Sequence, residues 1–213
     1  MPKNENNRIS DKYELTYWKL NKLVAGVDEA GRGALAGPVV AAAVIIPNSG
    51  FLNYGINDSK KLIPNVREKL FETIKHYCID FNYDSIPNTT IDEINILNSS
   101  LLAMQNAVAK LKHCPDHLLI DGNKYKCDDI PYTTIIGGDA ISISIASASI
   151  VAKVVRDNWM IEIADKTYPV YNFAKHKGYA TKEHYQAINK YGICPIHRRT
   201  FLRSYLTKQE VLF

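Results

Sequence analysis

Residues 24–46 read VAGVDEAGRGALAGPVVAAAVII, and both the fold and the chemistry start from this run. Val24 to Val27 is a short apolar stretch, and Pro38 opens a second, Val39 to Ile46. Two such runs separated by a glycine-rich segment predict a β-hairpin whose turn is that segment. At the end of the first run stand two adjacent carboxylates, Asp28 and Glu29, followed by Gly31-Arg32-Gly33. Adjacent acids repel each other and are costly to bury unless a cation neutralises them. Glycines beside them let another backbone come close, because glycine lacks a Cβ and tolerates positive φ. Acids suited to a divalent metal, next to amides and an arginine suited to phosphate, suggest metal-assisted phosphodiester chemistry.

The rest of the chain bounds that reading. Its 213 residues fit one large domain or a domain with a small appendage, and 46% hydrophobic residues suffice for a substantial core. The longest strongly apolar run, Val39 to Ile46, is far too short to span a bilayer. The N-terminus, MPKNENNRISDKYE, lacks an apolar signal core, so a cytoplasmic protein is expected, and the sequons at Asn88 and Asn98 then carry no meaning. Residues 1–10 support no functional reading. Cys78, Cys114, Cys127 and Cys194 include no CxxC pair, which argues against a zinc site or a disulfide framework and for reduced thiols. Between Tyr171 and Lys208, eight Lys/Arg stand against one acid, Glu183. That segment is either a surface for a polyanion or a solvated basic face.

Working outward, Asn57-Asp58-Ser59 reads as a loop leading into a helix from Pro64 to Tyr77, with proline at its start. Cys78 to Ile86 alternates like a strand. Ile94, Leu97, Leu101, Met104, Val108 and Leu111 form one apolar stripe, predicting a helix over 91–111 opened by a Thr90–Glu93 capping box. His117 to Ile120 and Thr133 to Ile136 are short strands ending at Asp121 and just before Asp139. Ala140 to Ile145 mimics a strand, but the stretch after it is helical, with a start near Ser144 and small residues at 146–149 that permit close approach to a sheet. Strands with helices between them, then a helical tail, predict an α/β layer fold with a mixed sheet.

Asp28, Glu29, Asp121 and Asp139 thus fall at three strand ends, where an open α/β sheet forms its ligand crevice. Four carboxylates there would suit Mg²⁺ or Mn²⁺. Taken singly, Asp121-Gly122-Asn123 could be a turn and Asp139 a helix cap. Asp58-Ser59-Lys60-Lys61-Leu62 offers hydroxyl and ammonium groups to phosphate, or is an ordinary polar loop. His176-Lys177-Gly178-Tyr179 could stack an aromatic ring on a base or sugar, or place a tyrosine at the surface. His197-Arg198-Arg199 could contact phosphates or form a helix-end charge cluster.

Together these residues resemble the type 2 ribonucleases H of the bacterial ribonuclease HII group. The likeness runs from about Tyr13 to Arg203 through AGVDEAGRGALAGPVVAAAVI, NDSKKL, DEINILNSSLLAMQNAV, LLIDGN, GGDAISISIASASIVAKVVRD, YPVYNFAKHKGYATKEH and PIHRRTF, in that order. The resemblance implies a ribonuclease H-like fold: a five-stranded mixed sheet flanked by helices in one catalytic domain over 1–213, with a basic helical C-terminal extension from about residue 165. It implies an endonuclease that hydrolyses RNA in RNA–DNA hybrids and incises 5′ to ribonucleotides embedded in duplex DNA, leaving 3′-hydroxyl and 5′-phosphate ends. It makes Asp28, Glu29, Asp121 and Asp139 the catalytic, metal-binding acids. It gives Gly31, Arg32 and Gly33 the ribose 2′-hydroxyl, the one group that separates RNA from DNA at a single position. Tyr179 would stack at the junction, and Ser59 and Lys60, with the basic C-terminal region, would hold backbone phosphates. Two positions depart from the pattern: Gly138 stands where a lysine usually precedes the last aspartate, and Ile63 where a helix-capping Ser or Thr usually follows DSKKL. The expected partner is nucleic acid, with no membrane, and the expected state is a monomer. Two other readings remain, a hybrid-binding module without turnover and another nuclease on the same fold. The four acids argue against the first, and the GRG loop with Lys177-Gly178-Tyr179 argues against the second.

Overall fold

The computed structural model describes residues 9–48, 50–126 and 128–210, with side chains as far as 207. Five strands, β1 (Val24–Ala30), β2 (Val39–Ile45), β3 (Asp80–Ile86), β4 (His117–Asp121) and β5 (Tyr132–Ile135), form one sheet in the order β3-β2-β1-β4-β5. The predicted hairpin is present: β1 and β2 are antiparallel, with Ala25 opposite Ile45 and Ala30 opposite Val40. β3 extends the sheet antiparallel to β2, whereas β4 and β5 run parallel to β1.

One expectation needs correction. Asp28 and Glu29 do not end their strand, because β1 continues to Ala30. The parallel ladder to β4 stops at Val27, but the antiparallel ladder to β2 carries on, pairing Asp28 with Ala42 and Glu29 with Ala41. The acids therefore sit on backbone fixed from one side and free of a strand neighbour on the other.

The α-helices among the described residues are α1 (Leu15–Trp18), α2 (Pro64–Tyr77), α3 (Asn88–Ala109), α4 (Ile143–Trp159), α5 (Phe173–His176), α6 (Lys182–Tyr191) and α7 (Arg199–Glu210); a six-residue π-helix, Met160–Asp165, continues α4, and short 3-10 turns lie at Phe51–Tyr54, Gly138–Ala140 and Pro169–Tyr171. On one face of the sheet Ala25, Val27, Ala41, Ala43 and Ile45 pack against Ile91, Met104 and Val108 of α3. On the other, Ala42 and Val44 pack against Ala146 and Ile150 of α4, with Leu70 and Ile74 of α2 beyond. α4 reaches β1 more closely than any side chain would permit: a Cβ on Gly26 would lie 2.1 Å from the Ser144 carbonyl carbon. A third cluster joins Leu35 and Met160 to Tyr171, Phe173, Ile188 and Leu202, and it seats the C-terminal helices.

α2 has the predicted bounds, and Ile63 gives it no side-chain cap. Arg67 of its first turn instead ties the helix to the loop before it, donating to the Ser59 and Leu62 carbonyls. α4 starts at Ile143 under a Ser142 cap rather than near Ser144. α3 departs further. It starts at Asn88 with no capping box, and Asn95 (φ 67°) breaks it. The Asn95 side chain accepts from Asn98 N–H, so it caps the second half, and the buried face moves to Ser99/Ser100, Ala103/Met104 and Ala107/Val108. Ile94 and Leu97 of the predicted stripe are only half-buried as a result. Cys78, Cys114 and Cys194 are free thiols, and Cys127 lies outside the described residues. No helix among the described residues is long and apolar enough to cross a membrane.

Candidate active site

β1 supplies Asp28 and Glu29, the last residue of β4 is Asp121, and the turn after β5 (Gly138–Ala140) carries Asp139. Their electrostatics show that the four share one site. Burial pushes the Asp28 carboxyl well above the usual carboxylate range, and the charges of Glu29 and Asp121 push it further. Burial also raises Glu29, with Asp121 adding repulsion and Arg32, 3.2 Å away, opposing. Asp121 is raised by burial and then by Asp139. Only a few donors offset this repulsion. Glu29 N–H donates to Asp28 Oδ1 and Gly138 N–H to Asp121 Oδ1, both at 2.7 Å. Lys60 Nζ donates to Asp139 Oδ2 at 2.8 Å. Burial works against the Lys60 ammonium, but Asp139, Asp28 and Asp58 outweigh it and hold the lysine protonated.

The donors present suit a hard divalent cation: all are carboxylate oxygens, and burial with mutual repulsion raises the proton affinity of Asp28, Glu29 and Asp121. Among the described residues no three His, Cys, Asp or Glu side chains are already drawn into a ligand cluster. Two of the four acids are instead engaged by cations of the chain, Asp139 by Lys60 and Glu29 by Arg32.

Beside the acids opens a cleft of about 520 Å³, which Glu29 joins to them. Gly31, Arg32, Gly33, Ser59, Lys60 and Tyr179 all line it, although 148 residues separate the first from the last. Ser59 is placed by a 2.8 Å hydrogen bond to Ser149 of α4, whose hydroxyl also faces Asp28. Lys153 and Arg156 lie 5.2 Å from the Tyr179 ring centroid, a cation–π arrangement that fixes the ring.

Two fully buried arginines, Arg156 and Arg198, hold the loop. Arg156 donates to the Pro38, Ala36 and Lys177 carbonyls. Arg198 donates to those of Gly37 and Arg32. A Cβ on Gly31 (φ 95°) would fall 2.0 Å from Arg156 Nε, so the first loop glycine is required by this guanidinium. His197 and Arg198 are therefore not phosphate contacts: both side chains are inside. Arg199 is exposed, and its N–H is capped by Asp92. Arg156 had a signal in the sequence, a cation seven and four residues after Ser149 and Ala152 on the small-residue face of α4. Arg198 had none. Gly138 does not leave the site without a cation, since Lys60 comes across to Asp139 from a different loop. A Cβ at 138 would lie 2.5 Å from Ile145 Cδ1, which crowds the position.

A family model described as Ribonuclease HII matches residues 25–204. The chain is 54% identical over 190 residues to the ribonuclease HII of Acetivibrio thermocellus, covering 89% of this chain and 73% of that one. It is 57% identical over 180 residues to that of Endomicrobium trichonymphae, covering 84% of each. Among solved structures, the ribonuclease H2 from Pyrococcus horikoshii superposes with a TM-score of 0.71 at 28% identity, covering 85% of this chain and 96% of that one. With the expected five-stranded sheet in place and the family match spanning the hairpin, all four acids and the C-terminal helices as far as α7, the chain belongs to the ribonuclease HII family of endoribonucleases.

Proposed function

We propose that this ribonuclease, which degrades the RNA of RNA–DNA hybrids as its family does, also incises duplex DNA on the 5′ side of embedded ribonucleotides, and that Asp28, Glu29, Asp121 and Asp139 hold its metal. One observation carries the reading: the cleft beside the carboxylates gathers the GRG loop, Ser59, Lys60 and Tyr179 from three distant segments. The loop offers close backbone approach and Arg32 to a ribose 2′-hydroxyl, Tyr179 a flat face to the neighbouring sugar, and Ser59 and Lys60 donors to a phosphate. Mg²⁺ or Mn²⁺ bound there would supply a water made nucleophilic at neutral pH and charge to stabilise the departing 3′-oxygen. The chain's part is to bring four mutually repelling oxygens together. Lys60 is poised to exchange Asp139 for a substrate phosphate.

The test uses a labelled DNA duplex with one ribonucleotide, an all-DNA control, and each metal in turn. A single metal-dependent nick 5′ to the ribonucleotide, absent from the control, is expected. Asp121→Asn should stay folded and lose cleavage by on the order of 10³-fold or more. Nicking of the control, or wild-type turnover by Asp121→Asn, overturns the assignment.

A further inference from the structure

Outside the acid site lies a buried cluster that metal-assisted cleavage does not use: His176, His184 and His197, with Cys194 beside them. His184 Nε2 and His197 Nε2 are 3.0 Å apart, and His176 stacks on His184 with ring centroids at 4.4 Å. The backbone around the pair decides which nitrogens carry protons. The Tyr179 carbonyl, 2.9 Å from His184 Nδ1, can only accept, so that nitrogen carries hydrogen. A neutral His184 then presents a bare Nε2, and His197 must donate to it. His197 Nδ1 is left to accept from Cys194 N–H at 2.9 Å, a shorter contact than the Cys194 carbonyl at 3.2 Å. The hydrogen bonds thus run one way, from Cys194 through both imidazoles to the Tyr179 carbonyl.

The ends of this relay are the two edges of the recognition loop. Ala34 pairs with Tyr179 and Ala36 with His197, both antiparallel. Leu35 N–H donates to the Gly178 carbonyl, and the Leu35 carbonyl accepts from Arg198 N–H, each at 2.8 Å. Residues 34–37 thus run between the 178–179 and 197–198 segments, and the His184–His197 bond, with His184 held to the Tyr179 carbonyl, ties those two segments together.

We propose that His184 and His197 are positioning residues for ribonucleotide recognition: their imidazole–imidazole bond sets where the Tyr179 backbone stands relative to the Gly31–Gly33 loop. The proposal rests on the proposed recognition roles of Tyr179 and that loop. It assigns no chemistry to the histidines. Burial, which keeps both rings neutral, is what the relay requires.

Steady-state kinetics on the single-ribonucleotide duplex, all-DNA duplex binding and thermal melting test this with three substitutions. His184→Phe removes both hydrogen bonds while filling the space. It is expected to lower kcat/KM by on the order of 10-fold, chiefly through KM, with all-DNA binding unchanged. His184→Asn keeps a donor at the Nδ1 position for Tyr179 but loses the bond to His197, and so should resemble the phenylalanine variant. His184→Gln reaches His197 but not Tyr179 and should resemble the phenylalanine variant. Folded His184→Phe with wild-type KM, or wild-type KM in the Asn or the Gln variant, overturns the proposal. If His184→Phe does not fold, the Asn and Gln pair decides alone. Tyr179→Ala, measured in parallel, separates the two readings. Should it leave incision unchanged, the role of Tyr179 itself fails. Should it impair incision while the histidine variants do not, only the relay fails.

Discussion

Asp28 is 3% exposed, has a carboxylate beside it in sequence and another, Asp121, just past the end of the parallel ladder, and is offset by one hydroxyl and one amide. Its charge is therefore a burden on the fold at neutral pH. Because the carboxyl titrates higher folded than unfolded, the stability linked to it is fully present below the unfolded value and is lost as pH rises through the folded one. Asp28→Asn keeps an oxygen that can accept from Glu29 N–H and removes the charge. It should raise the melting temperature at pH 7 by about 2–4 °C, the equivalent of roughly 1 kcal/mol in a chain of this size, and the gain should vanish toward pH 4. A melting temperature unchanged at pH 7, or a gain that persists at pH 4, would show that the buried charge of Asp28 is not a burden on the fold. On the proposed metal assignment, excess Mn²⁺ is expected to raise the melting temperature of the wild type and not that of Asp28→Asn, since an ion stabilises only a state that binds it.

At the scale of elements, α4 organises the site. It touches β1 through Gly26, carries Ser149 toward Asp28, and ends in Arg156 under the loop. Its N-terminus is held by Glu14, whose Oε1 accepts from Ser142 Oγ at 2.5 Å and Ser144 N–H at 3.0 Å, across a segment that also pairs Ser10 with Ser142. Glu14→Ala strands these donors in a fully buried place and should cost about 1–3 kcal/mol. Glu14→Gln retains an acceptor oxygen and should recover most of it in calorimetry, and equal losses would assign the effect to packing. Gly26→Ala drives a methyl into the Ser144 backbone and should cost about 3 kcal/mol or more. Much of this was legible beforehand. The hairpin showed in two apolar runs around glycines, α2 in its Pro64 start, and the acids by their adjacency and their places at the end of β4 and after β5. What escaped depended on contacts far apart in the chain. The break in α3 follows from Asn95 turning to positive φ, which no periodicity reveals. Asp92 carried no signal in the sequence, because it caps α7 only where that helix folds back onto α3. Arg198 read as surface charge because burying it takes carbonyls from residues 32 and 37, which only the closed loop presents.

Across the whole molecule, two buried sets of titrating groups pull stability in opposite directions with pH. Asp28, Glu29, Asp121 and Glu14 are all raised by burial, so each favours the folded state at low pH and opposes it as pH rises. The histidines behave inversely. Burial, with His176 nearby, lowers His184 and His197 to about 4, and His176 is lowered too. Their contribution is complete above the unfolded value near 6.5 and is lost as pH falls toward 4. The sets lie apart: Asp28, Glu29 and Asp121 share the acid site, Glu14 caps the start of α4, and the imidazoles stand against Phe173 in the cluster that seats the C-terminal helices. A melting profile of the wild type alone would blend the two slopes, but substitution separates them. His197→Gln is expected to melt lower at pH 7, because it loses the bond to His184 or the one to Cys194. Its melting temperature should also fall less steeply than the wild type's between pH 6.5 and 4, so that the two curves converge in acid. Asp28→Asn should diverge from the wild type in the other direction, as pH rises. Calorimetry of the three proteins from pH 4 to pH 8 checks both slopes at once. Parallel curves for His197→Gln and wild type below pH 6.5 would mean that the imidazole pair is not what couples the C-terminal frame to pH.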